Sequence, residues 1–163
     1  MGCGGKGGTG EFMNDTYIEQ KLTERFLSLN DFMTDNGFAG DPYIETDAKG
    51  KPLNVSLPNI AFKVPDNNRF FVLSFLPGEP EPAGMGENAE NRWTGIFQID
   101  IIVPLDAGTD ETSAKYDWIC KLFQRGKSFN DITIIRTYRA TNETEETFYK
   151  TIIRVEFSAT LPK

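Results

Sequence analysis

The chain has 163 residues, 39% of them hydrophobic and 25% charged, with a formal net charge of -7. That length fits one domain with its own core, and no apolar run approaches the roughly 18 residues of a membrane-spanning helix. An acidic chain is poorly suited to wrapping nucleic acid, because affinity for phosphate rests on Lys and Arg. The absence of histidine removes the commonest general base and the commonest metal ligand together.

The opening "MGCGGKGGTGEF" lacks the cationic start and apolar middle of a signal peptide. It reads as a vector-derived or disordered arm over residues 1–12, ahead of a single domain over residues 13–163. Its Gly-Lys pair is not a phosphate-binding loop, since no strand precedes it and no Ser or Thr follows at the required spacing. Of the two cysteines, Cys3 falls in this arm and Cys120 in the domain, so no disulfide framework is expected and a reducing compartment is the simpler reading.

The first periodic segment, "DTYIEQKLTERFLSLNDFM", places Ile18, Leu22, Phe26 and Leu29 on one helical face. Thr16 and Glu19 match a capping box, which predicts a helix over 16–33 with a stop at Asn36-Gly37. The Gly-, Pro- and Asp-rich stretch that follows reads as a long connection holding at most one short strand. Apolar runs at 60–64 and 70–76 then suggest extended segments. "PGEPEPAGMGENAEN", residues 77–91, has too few apolar residues for a core and is expected to be a mobile loop between two strands.

The clearest strand begins at Trp93. Phe97, Ile99, Ile101 and Val103 alternate with Gln98, Asp100 and Ile102, so one face is wholly apolar and the other mixed. Pro104 and Gly108 end it, and Asp110 or Thr112 is placed to cap a helix whose stripe is Ala114, Trp118, Ile119, Leu122 and Phe123, closed by Gly126. "DITIIRTYR" and "TFYKTIIRVEFSATL" predict an antiparallel hairpin across the polar "ATNETEE". In its second strand Ile153, Val155 and Phe157 face the core, while Lys150, Arg154 and Glu156 face away beside Ile152. These elements predict an α+β domain: a single mixed or antiparallel sheet of four to five strands, two helices on one face and a long mobile hairpin loop.

Few residues invite chemistry. Cys120 sits among Ile119 and Leu122 without a base to deprotonate it, and reads as a small buried hydrophobe. Asp100 and Glu156 read as separate charges on a sheet rather than an acid–base pair. The turn around "ETDAKG" lacks the ligand order and terminal Glu of a calcium loop. Arg92-Trp93 and Arg136-Tyr138-Arg139 interleave cations and aromatics in a manner that suits a protein interface. No catalytic, cofactor-binding or metal site is expected, and a binding or assembly role is favoured over catalysis.

The segments "PNIAF", "FFVLSFLPGEPEPAGMG", "RWTGIFQIDIIVPLDAG", "LFQRG" and "IIRVEFSAT" together resemble the phage tail-terminator-like family, relatives of minor tail protein U. The strongest piece is R-x-x-G-I-F-Q-I-x-I-x-x-P, running from Arg92 to Pro104. The acidic turn "ETDAKGKP" departs from the family pattern.

This resemblance implies a structural protein of the virion tail, present in the host cytoplasm during assembly. It implies a ring, commonly a homohexamer, that ends tail-tube growth and joins the tail to the head. Implied partners are further copies of the chain, the tail-tube protein and a head–tail connector protein, with DNA only as passing cargo and no membrane. Pro77, Glu79, Glu81, Met85, Arg92, Trp93, Lys150 and Arg154 are the expected oligomer contacts. Another connector or tail-completion protein and a small-molecule binding domain are the competing readings.

Overall fold

The structure, a computed structural model, describes residues 10–86 and 90–161. Helix α1 spans Gly10–Leu27 and α2 spans Leu29–Asp35. Hydrogen bonds from Ser28 N to Glu24 O and from Phe32 N to Ser28 O carry the helical path across the break between them. Thr16 and Glu19 therefore lie inside α1 and do not cap its start, because the helix begins at Gly10. Ile18, Leu22, Phe26, Leu29 and Met33 recur at helical spacing and are all buried.

A connection without regular secondary structure leads from α2 to the short strand β1, Val55–Ser56. Buried Asn54 does here what a neighbouring strand would do. Its Nδ2 donates to Tyr43 O at 2.8 Å, and its Oδ1 accepts the Glu45 N–H at 2.9 Å. Asn30 brackets Ile44 from α2 in the same way, donating to Ile44 O and accepting from Ile44 N. Satisfying these backbone groups lets an irregular segment lie against the core. The apolar run at 60–64 forms no strand, and Ile60 and Val64 are exposed.

Four longer strands make the body of the sheet. These are β2 (Phe70–Pro77), β4 (Asn91–Pro104), β6 (Ile132–Thr144) and β7 (Phe148–Leu161); two-residue pieces β3 (Glu81–Pro82) and β5 (Ser128–Phe129) accompany them. The order is β1-β2-β4-β7-β6-β5, with β3 paired to β4. Pairing is antiparallel except between β1 and β2, which makes the sheet mixed. The α+β class stands, but the sheet has 7 strands rather than four to five. Sequence reading missed the two-residue pieces and the far half of β6, where "ATNET" is held in register by β7 despite its polarity.

Helix α3, Asp110–Leu122, follows β4 after a tight turn. Thr109 is its N-cap without a side-chain cap, and Thr112 instead donates to the Thr109 carbonyl. The buried positions are Thr112, Lys115, Ile119 and Leu122, with Phe123 just beyond them. Ala114 is exposed and Trp118 half-buried, so the stripe is rotated from its expected position. Gly126 does not close the helix, which ends at Leu122; its N–H bonds Ile134 O in the turn toward β5.

Phe97, Ile99, Ile101 and Val103 of β4 join Ile153, Val155 and Phe157 of β7 in one core with the three helices of the described residues. Phe26 of α1 meets Phe71 of β2 edge-on at 5.2 Å, and Phe123 meets Phe97 at 5.9 Å. Each fully buried side chain of this size stabilises the fold by about 1.5–3 kcal/mol.

Candidate assembly interface

The hairpin joining β2 to β4 continues past the end of β2, and its tip, between Pro82 and Asn91, lies beyond the stretch that β7 pairs. Pro77 pairs with Gly95, and beyond it Glu81 pairs with Arg92 and Pro82 with Asn91. Ala83 N donates to Glu90 O at 2.8 Å, which carries the ladder still further. The segment expected to be a loop throughout is thus partly strand; residues 87–89 lie outside the described residues. Pro77, Glu79, Glu81, Met85 and Arg92 are exposed along this projection, Met85 completely so.

Trp93, grouped with these contacts in the sequence, is a core residue with 2% of its surface exposed. Residue parity explains the correction. Trp93 shares the face of Phe97 and Ile99, and pairs across the ladder with buried Ala159.

The sheet face away from the helices carries Gln98, Asp100, Lys150, Arg154 and Glu156, half-buried except for the buried Asp100. Its charges are largely answered within the face. Lys150 lies 3.4 Å from Glu145, Arg154 donates to Gln98 Oε1 at 3.3 Å, and Arg136 pairs with Glu156 at 2.7 Å. Burial pushes the Asp100 carboxyl above its ordinary range, while the Gln98 hydrogen bond and the Lys150 and Arg154 charges pull it back. Asp100 and Glu156 have different partners, as separate sheet charges do.

Helix α3 is tied to the connection before β2 by a charged cluster. Glu111 accepts from Arg69 at 2.8 Å and from Lys115 at 3.0 Å. Lys115 is itself buried, its ammonium lying over the rings of Phe71 and Tyr43. Glu111 and Lys115 stand four residues apart on α3, a helical pairing distance, whereas Arg69 comes from a distant part of the chain and no local pattern points to it. Burial also raises the Cys120 thiol above its usual value, which leaves less of the nucleophilic thiolate. In the acidic turn Asp47 accepts the backbone N–H groups of Lys49 and Lys51, which commits one carboxylate oxygen to the turn itself.

A groove of about 600 Å³ opens beside the free edge of β1. Leu53, Val55, Leu57, Ile60, Phe62 and Val64 supply its apolar wall. Nothing in the sequence pattern marked it, because the 60–64 run looked like strand rather than lining.

The model of a family described as phage tail terminator protein matches residues 39–157, well over half of the chain. The chain belongs to the phage tail terminator family. That family is structural and its members belong to the virion tail. The match starts near the irregular connection and takes in both long hairpins.

No curated protein matches the chain. A solved structure whose name gives no function superposes with a TM-score of 0.52 at 15% identity, covering 69% of this chain and 82% of that one. At that identity the likeness concerns the fold. No helix among the described residues is long and apolar enough to cross a membrane.

Proposed function

We propose that this tail terminator closes as a ring of identical subunits, a hexamer, on the end of the completed tail tube. There it stops further tube polymerisation and presents the surface that joins the tail to the head through a connector protein. The family match carries this reading. The shape supports it, since a ring needs two unlike surfaces on one subunit. The projecting β2–β4 hairpin and the groove beside β1 are unlike and lie apart. Pro77, Glu79, Glu81, Met85 and Arg92 on the hairpin, with Lys150 and Arg154 on the helix-free face, are the proposed contacts. DNA passes as non-specific cargo, and a net charge of -7 keeps affinity for its phosphates low.

Subunit contacts are weak in free solution and strengthen on the tube, because a symmetric template raises their effective concentration. Purified protein is therefore mostly monomeric at micromolar concentration, with rings appearing at high concentration or on tubes. Electron microscopy of tails assembled without the protein tests the role: tails of abnormal length that fail to join heads are expected. Tails of normal length that fail only at head joining would assign the protein to the connector instead.

A further inference from the structure

Seven large apolar side chains stand exposed among the described residues, and three of them, Leu53, Ile60 and Val64, line the groove beside β1. A fourth, Met85, is fully exposed near the tip of the β2–β4 hairpin. An unbranched thioether is suited to filling an irregular apolar slot. We infer that Met85 of one subunit seats in the groove of the next, so that hairpin and groove form the two halves of a head-to-tail contact.

Position excludes the same contact within one chain. Val55 at the groove pairs with Phe71 near the start of β2, whereas the hairpin projects beyond Pro77 at its other end. At a strand rise of about 3.3 Å per residue, roughly 20 Å separate the groove from the base of the hairpin. A knob and socket placed at opposite ends of one subunit make a heterologous contact, which closes as a ring where the rotation permits.

Charge and backbone favour the same occupant. Residues 77–91 contain Glu and no Lys or Arg. Among the described residues, Glu79, Glu81 and Glu90 make no ion pair, and neither do Lys51 and Lys63 on the groove rim. Glu45 and Asp66 share that rim, so the apolar contact supplies affinity and the lysines orient the visitor. Strand β1 is the outermost strand on its side of the sheet. An outermost strand, lacking a ladder partner on its far side among the described residues, is the kind of edge an extended visitor can join.

The inference rests on the ring reading and is tested separately from it. In a Cys3→Ser/Cys120→Ser background, Met85→Cys protein is mixed with Leu53→Cys protein at a concentration where the parent forms rings, then treated with a short bis-maleimide. Covalent dimers that need both variants are expected. Met85→Asp and Ile60→Asp should each weaken ring formation roughly ten- to a hundredfold by light scattering, while remaining monomeric and folded by circular dichroism.

Rings that form with no mixed cross-link, or that tolerate both aspartates, overturn the knob-and-groove contact and leave the ring standing. Aspartate variants that form rings yet no longer cap tubes assign the groove to the tube protein and also overturn it. A parent protein that never assembles, alone or on tubes, removes the ring reading and this contact together.

Discussion

The Nε of Arg25 in α1 donates to the backbone carbonyl of Leu122, the last residue of α3, at 3.0 Å. The same guanidinium lies over the Phe129 ring at 4.5 Å from its centroid. A helix end leaves carbonyls without partners, and here a side chain some hundred positions away answers one. Arg25→Met keeps much of the aliphatic bulk but removes the donor, so it should destabilise the domain by about 1.5–3 kcal/mol in a denaturant titration. A midpoint unchanged from the parent would show that water satisfies the carbonyl equally well.

Gly95 explains the glycine of the R-x-x-G motif. A Cβ placed there would lie 2.7 Å from the Leu76 carbonyl oxygen and 2.9 Å from the Phe157 ring. The backbone carbonyl cannot yield without disturbing the β2–β4 ladder. Gly95→Ala should cost about 1–3 kcal/mol, as overpacked sites do, with a matching fall in Tm. Wild-type Tm would mean the ladder relaxes at no cost.

Phe123 fills the space between α3 and the inner face of β4, with 0% of its surface exposed. Phe123→Ala is expected to cost about 3–5 kcal/mol. A loss well under about 1 kcal/mol in denaturant would show that the site collapses around the deletion.

Asn54→Ala strips the Tyr43 carbonyl and the Glu45 N–H of their side-chain partners at once. Leaving a buried group unsatisfied costs about 1–3 kcal/mol. Amide exchange should speed up most sharply at Glu45, before any global unfolding. Uniform acceleration across the sheet would contradict so local a role.

Asp100 and Glu111 should respond to pH in opposite directions. Burial holds the Asp100 pKa above its unfolded value. Its contribution is therefore fully present below the unfolded carboxylate range and is lost as pH rises through the folded pKa. Asp100→Asn should gain on the parent over that rise. Burial also pushes Glu111 upward, but the hydrogen bonds and charges of Lys115 and Arg69 outweigh it and leave the pKa lowered. Its contribution is present above the unfolded range and is lost as pH falls through the lowered pKa. Glu111→Gln should thus be costliest near neutrality and recover in acid. Urea midpoints of the three proteins between about pH 3 and about pH 7 check both signs; parallel curves would remove the linkage.

Alternation made the centre of the fold legible. Phe97 to Val103 and Ile153 to Phe157 each place alternate apolar side chains on one face, and both strands lie in the core. The Thr16–Glu19 spacing misled because a capping box can also occur within a helix, and α1 continues upstream to Gly10. The polar end of β6 was illegible because its pairing comes from β7 rather than from its own pattern. Trp93 looked like a surface anchor beside Arg92, although counting parity back from Phe97 would have placed it inside. The groove could not be read locally, since its walls combine residues of the 51–57 stretch with residues of the 60–66 stretch.

Every residue of β4 has a partner in β7, from Pro104 with Phe148 to Asn91 with Leu161. Such pairings are distant in sequence, and contacts of this kind slow folding because loop closure must come first. The helices and the β2–β4 hairpin can form early, leaving one edge of β4 open until β7 arrives. An open apolar strand edge invites pairing with another chain. A newly made subunit therefore passes through an interval in which its central strand can associate promiscuously. Refolding yield should fall with protein concentration even where the finished subunit stays monomeric.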